Sequence, residues 1–480
     1  MSTERSAGRR EARMRKGRRR FAAAFAVVVG VLVVAVAAGS VVSLTQGPRV
    51  SSVVVDPQAA AESSGSRVIL TANQALGEVS HDQVEVTPAV PFTVDAAGRE
   101  IGVRFTAPLD DDTEYRISVP GVRAVGGGPV STLETDFRTP PATVFLLERT
   151  EGDDEIYRTG LDGADRETVF ASPEIDDFRS AAGLIVASVR NSDGSASLIR
   201  MNDDGSAAEE FALPGDGTIR NLQLSERGGR IGYTYTDLPA SSGEAPEREA
   251  QLFTASLRAP GDAPSAVAVA GEVPSVDTWQ FVPDSSAVLL IDFTGELVIV
   301  EPGSDAEPGV LGSAVDIDAV ARGTYTAIVE RLEDGMVWID LATGDEEPLV
   351  APDPEPGLLG NVLPLPSATG ETGGVDSVRQ YTVLGEDGVP TAQQVTFVAA
   401  DGTAREVVTI DMPDALLQTC LSPSARYVAA TVAGDLASNP YDTMSLPMPA
   451  QVDTLVYDID SGERVAALPG FGVSWCAAGP

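Results

Sequence analysis

The chain has 480 residues, with 71 acidic against 33 basic side chains, one histidine, two cysteines and a formal net charge of −38. That balance repels phosphate backbones and excludes nucleic acid as a partner. Because His81 is the one histidine, histidine-dependent triads are excluded from residues 142–480. Taken in chain order, residues 1–20 hold nine basic residues and two acids, and Phe21–Leu44 follows without a single charge. At about 1.5 Å per residue this apolar stretch would span about 36 Å, enough for a bilayer core. It predicts a transmembrane helix over 21–44, a cytoplasmic basic tail over 1–20, and extracytoplasmic domains beyond. Ala35-Val36-Ala37 resembles a signal-peptide cleavage site, and cleavage there would give a secreted protein instead. Beyond residue 20 the chain keeps 24 basic and 69 acidic side chains, a net charge near −45. Such a surface favours solubility and repels anionic headgroups, and it would attract cations or a basic partner. Lys16 is the only lysine.

Residues 45–66 are small and polar and are expected to be a linker. Residues 67–140 read as short alternating strands separated by turn residues, which predicts a β-sandwich. The pieces VEVTPAV (84–90), EIGVRFTAPLDDDTEYRISVPGVRAVGG (100–127) and DFRTP (136–140) resemble the bacterial Ig-like domains of surface-layer proteins. The matching positions are Pro108, Leu109, Thr113, Tyr115, Ile117, Val119, Gly121 and Val122. The resemblance implies a spacer or adhesion module rather than a catalytic one, with Tyr115 packed between the sheets and its hydroxyl tied to a loop.

From about residue 142 to the end, seven segments share one design, an apolar strand followed by a tight polar turn with glycine. The turn glycines are Gly163, Gly205, Gly261, Gly303, Gly344, Gly402 and Gly462, at intervals of 42, 56, 42, 41, 58 and 60 residues. A strand-and-turn repeat of this length is the signature of propeller blades, which must stack to bury both faces. A second turn precedes each, as in LSPSARYVAATV (421–432) and FVPDSSAVLLIDF (281–293). It resembles the "SPDG" hairpin of TolB-like and WD-repeat-like propellers. Six blades are expected at 175–215, 219–270, 275–311, 315–350, 358–410 and 416–468. A seventh is split: 144–171 supplies three strands, and the terminal GFGVSWCAAGP an inner strand that closes the first blade. An open solenoid, or six or eight blades, are the alternatives. The predicted fold class is therefore all-β, with an N-terminal transmembrane helix, an Ig-like β-sandwich and a seven-bladed β-propeller over 142–480.

Chemistry is sparse along this chain. It has no Gly-rich phosphate loop opening a helix and no sialidase-type box, and Ser192-Asp193-Gly194 reads as an ordinary hairpin turn. Asn202-Asp203-Asp204-Gly205 is not a full calcium loop. No catalytic, cofactor-binding or metal-binding residue is assigned and no cofactor is expected. The insertions 237–249 and 433–451 are the candidate working surfaces and are expected on one face, while 366–374 reads as a flexible tip. The 433–451 insertion is the richer, and Tyr441, Met444, Leu446 and Met448 are its candidate partner contacts. The alternative is that this loop packs back over its own blade. Cys420 and Cys476 lie on inner strands of neighbouring blades, within about one residue of matching register and outside the membrane, and are expected to form a disulfide; two buried free thiols or a bond to another chain are the alternatives. The expected function is non-enzymatic binding or scaffolding in the cell envelope of a bacterium, with a protein or envelope polymer as partner. The alternatives are a carboxylate-dependent hydrolase of wall polysaccharide, or the sensory or accessory ectodomain of an envelope complex.

Overall fold

The computed structural model describes residue 23 and residues 25–34, 47–225, 227–239, 241, 244–304, 306–366 and 375–480. Residues 25–34 are helical with exposed side chains. The basic tail and most of the expected span over Phe21–Leu44 lie outside the described residues. Among those described, no helix is long and apolar enough to cross a membrane.

The first folded unit is a two-sheet sandwich. Its strands are Val50–Val54 (β1), Arg67–Ala72 (β2), Glu85–Thr87 (β3), Phe92–Ala97 (β4), Glu100–Phe105 (β5), Glu114–Val122 (β6) and Ser131–Arg138 (β7). One sheet runs β1-β2-β5-β4 and the other β3-β6-β7. Alternation along the strands aims one side of each sheet inward. Leu70 and Val103 from the first sheet therefore share a core with Ile117 and Leu133 from the second. Tyr115 is fully buried in it, and its hydroxyl accepts a hydrogen bond from Asp110 N at 3.0 Å. The linker expected over 45–66 is corrected here. It contributes β1 and a short helix, Pro57–Glu62, whose Asp56 cap accepts from Ala59 N at 3.1 Å. Small-residue composition hid a β-forming run of valines around residue 53 and a capped helix start with Pro at its first position. Val50 and Val55 pack against the sandwich core and Ala60 is buried in it.

Seven small antiparallel sheets follow. The first is three-stranded, with Thr143–Glu148 (β8), Asp154–Gly160 (β9) and Glu167–Ser172 (β10) in the order β10-β9-β8. The other six are four-stranded meanders over 175–210, 217–266, 276–313, 316–348, 358–411 and 415–469. Their ends lie within a few residues of the repeat bounds read from the sequence. Neighbouring sheets share apolar layers, for example Val186 and Leu198 of the second with Ile231 and Phe253 of the third. The last sheet packs on the first, because Val144, Leu146 and Tyr157 share a core with Tyr427, Val456 and Leu468. The succession thus closes on itself as a propeller does.

The closing segment is less regular than an inner strand. Phe471 forms a bridge with Leu147, each N–H donating to the other's carbonyl at 2.9 Å. Ser474 N adds a bond to Phe145 O at 3.0 Å, and residues 474–476 then turn, with Cys476 N donating to Val473 O. Gly470 makes the approach possible. Its φ is +98°, and a Cβ there would strike the Leu147 carbonyl.

In these meanders the turns between first and second strands all lie at one end of the sheets. The turns between second and third strands lie at the other end, beside the connections to the next sheet. The sandwich sits on the first end. Ser64 donates to Asp284, Gly65 lies against the Arg227 guanidinium with no room for a side chain, and Arg426 donates to Asp111 O at 3.3 Å. The turn at Gly323 leaves no room for a side chain beside the Thr106 carbonyl. One face of the propeller is therefore capped, and among the described residues the sandwich leaves the opposite, free face uncovered.

Candidate functional site

Two regions could carry function, the axial channel and the free face. The channel is lined by the inner strand of each sheet. Polar side chains on four of these strands clamp each of them to the next. Gln223 Nε2 donates to Trp279 O at 2.6 Å while its Oε1 accepts from Phe281 N at 3.1 Å. Gln280 Nε2 donates to Ile317 O and Asp318 O at 3.0 and 3.1 Å. Asp318 Oδ2 accepts from Val362 N at 2.9 Å, and Gln418 Nε2 donates to Ala478 O at 3.0 Å. Each bond satisfies backbone groups that the edge of an inner strand would otherwise leave unpaired. This girdle went unread in the sequence. Its trace is a Gln or Asp one to three residues before the hairpin closes, in LQLSERG, WQFVPDSS, IDAVARG and LQTCLSPS, and that varying offset does not stand out as a repeat.

At the capped end the channel holds a cavity of about 230 Å³ lined by Ser63, Arg179, Gln223, Gln280, Asp284 and Ser474. A second of about 250 Å³ lies along Asp318, Asn361, Gln418 and the terminal residues 477–480. Three acids at or beside these walls have structural partners. Asp284 takes Ser64 and Arg227. Asp177 pairs with Arg179 through bonds of 2.8 and 3.0 Å, and burial holds its carboxyl above the usual range despite that cation. The Asp318 carboxyl is pushed up to about 7 by burial, with the Val362 N–H opposing the shift. Among the described residues, no group of three or more His, Cys, Asp or Glu could hold a metal ion. His81 is exposed in the sandwich and stacks on Phe92 at 4.7 Å.

Cys420 and Cys476 are joined by a disulfide, with Cα atoms 5.2 Å apart. It ties the terminal segment to the inner strand Ala415–Leu421.

The 433–451 insertion lies on the free face, but it does not stand open. Beyond the contacts at its base with its own sheet, it crosses to the first two sheets. Arg149 donates to Asp442 Oδ2 at 2.6 Å and to Leu446 O at 2.8 Å. Arg190 reaches Thr443 O at 3.1 Å and the Met444 sulfur at 3.3 Å, and Ser445 N donates to Asp176 at 3.1 Å. Met448 is 4% exposed and sits among Phe145, Phe178 and Phe471, so its side chain is core and not a contact surface. Met444 and Leu446 are half-buried, and Tyr441 alone of the four is exposed. The loop at 237–249 is pinned at its far end, where Arg248 makes a bidentate pair with Asp237 at 2.7 and 2.9 Å. Residues 367–374 of the third insertion lie outside the described residues.

No known protein family and no curated protein matches this sequence. Solved structures do. The putative TolB of Agrobacterium tumefaciens is 13% identical, over 69% of this chain and 91% of its own, with a TM-score of 0.35. A putative 6-phosphogluconolactonase of Bacteroides fragilis is 10% identical, over 69% of this chain and 96% of its own, with a TM-score of 0.41. A prolyl endopeptidase is 10% identical, over 80% of this chain and 50% of its own, with a TM-score of 0.45. Likeness at these levels carries no argument, and the sheet topology itself carries the propeller assignment.

Proposed function

We propose that this chain is a membrane-anchored, extracytoplasmic binding or scaffold protein of the bacterial cell envelope. Residues 21–44 would hold it in the membrane, and the sandwich, read as an Ig-like module, would act as spacer. The seven sheets would form a seven-bladed ring that serves as a partner platform without catalysis. One observation carries this reading: the sandwich caps one propeller face and leaves the opposite face free. A spacer fixed on the anchor side aims the free face away from the membrane. The girdle supports it too, because its polar side chains are occupied in holding strands together.

Photo-crosslinking in intact cells tests the proposal. A crosslinker at exposed Tyr441 or Leu332, both on the free face, should trap a partner in the membrane fraction. The same group at Val465, on an outer strand, should not. An absence of adducts from the free face, or recovery of the protein only in the medium, would overturn the reading.

A further inference from the structure

The free face is uneven in chemistry. Over the first two sheets it is covered by the folded-back 433–451 loop. Over the fourth, fifth and sixth sheets large apolar side chains stand exposed among the described residues. Phe293 is 60% exposed, Leu332 87%, Val389 55% and Met412 44%. They fall at equivalent places, on turns between second and third strands or on connections to the next sheet. Backbone bonds draw these places together. Phe293 N donates to Ser275 O, Val315 N to Glu330 O, and Met412 N to Thr391 O. Soluble surfaces scatter single apolar residues, but a series along one face marks a contact region.

Three of these four, Leu332, Val389 and Met412, are flanked by exposed acids. Leu332 precedes Glu333 and Asp334; Glu386 and Asp387 lie just before Val389; Asp411 precedes Met412. Among the described residues, no salt bridge sets a cation against these acids. From residue 271 to Tyr441 the chain has no lysine or histidine and five arginines. Arg331 and Arg379 are buried, Arg405 and Arg426 pair with Asp460, Asp111 and Asp458, and Arg322 lines the cavity at the capped end. The face is therefore apolar and negative together. It repels anionic lipid, nucleic acid and a second copy of this acidic chain.

We infer that this arc, over the fourth to sixth sheets, docks a basic amphipathic segment of a partner protein, whose arginines or lysines meet the acids while its apolar residues cover Leu332, Val389 and Met412. The inference rests on the platform reading above and names the partner's chemistry. Charge complementarity would set the encounter rate and its salt dependence, and apolar burial would set the lifetime.

The test uses the full chain in nanodiscs of zwitterionic lipid. The probe is a short fluorescent peptide of alternating Arg and Leu. Peptides alternating Arg with Ser and Glu with Leu are the controls. The Arg-Leu peptide should bind at least about tenfold more tightly than either control. It should weaken several-fold between about 50 and about 300 mM salt as the charges are screened. Leu332→Ser with Val389→Ser and Met412→Ser should lose about tenfold, as should Glu333→Lys with Asp334→Lys, Glu386→Lys and Asp387→Lys. All of these side chains are exposed, so unchanged melting should accompany the loss. Identical nanodiscs carry any binding to lipid equally. Equal binding of the Arg-Ser peptide, or variants that bind as the parent does, would overturn the inference. A cellular crosslink from Leu332 to an acidic protein would also overturn it while leaving the platform reading standing; no crosslink from any free-face position would remove both.

Discussion

At Asp318 a carboxyl occupies a girdle position where other inner strands carry glutamine. An amide can donate and accept at once, whereas a carboxylate only accepts. Burial accordingly pushes the Asp318 carboxyl up to about 7 from an ordinary 3.8, and the charges of Asp316 and Glu330 add to the rise. The sign for stability follows. Below both values the group is protonated in folded and unfolded chains alike and costs nothing. As pH climbs from about 4 to about 7, the unfolded chain ionises first and the folded state loses ground, fully so above that window. Asp318→Asn keeps an acceptor for Val362 N and removes the titration. The variant should melt with the parent near pH 4 and progressively above it up to pH 8. Parallel melting curves at every pH would contradict this account. Arg179 shows the opposite use of charge, since its pair with Asp177 neutralises a carboxylate that burial would otherwise expel.

Among the elements, close packing between sheets is set by single residues. Gly232 on the second strand of the third sheet faces Trp279 and Phe281 of the fourth, with no room for a Cβ against the indole. Gly232→Ala should therefore lower stability by about 1–3 kcal/mol, since overpacking forces neighbouring rings off their positions. Chemical denaturation would read this as a lower midpoint, and an unchanged midpoint would show the interface to be pliant. Such contacts are invisible to repeat reading, which sees only what recurs. What recurs here is backbone geometry. Gly163, Gly205, Gly303, Gly344, Gly402 and Gly462 all have positive φ, so each turn demands glycine and advertises itself. Gly261, the looser match, does not share that geometry. The girdle, by contrast, is written in side chains that reach into the next repeat, so its meaning needs the stacked sheets. The fold-back of the 433–451 loop depended on Arg149 and Arg190, residues about 240–300 positions away, and local composition could not reveal it. Composition also misread residues 45–66, where small residues concealed β1 and the helix Pro57–Glu62.

For the molecule as a whole, the disulfide holds the terminal segment against the last sheet while Phe471 holds it against the first. It closes a loop of 56 positions, which the chain-entropy account values at about 4 kcal/mol. Cys420→Ser with Cys476→Ser should lower the denaturation midpoint accordingly and speed proteolysis after Pro469. Reduction of the parent should reproduce both effects, and indifference to reductant would show the bond to be dispensable. The joint between the two units has a mechanical consequence. The chain passes from the sandwich into the propeller through residues 139–142 and enters β8 from the capped face. A tug on the free face would draw β8 along its own axis, against β9 on one side and Phe471 on the other. Those hydrogen bonds would be sheared together instead of unzipped one after another, so the joint should behave as a force-bearing rivet between a tethered base and a pulled load.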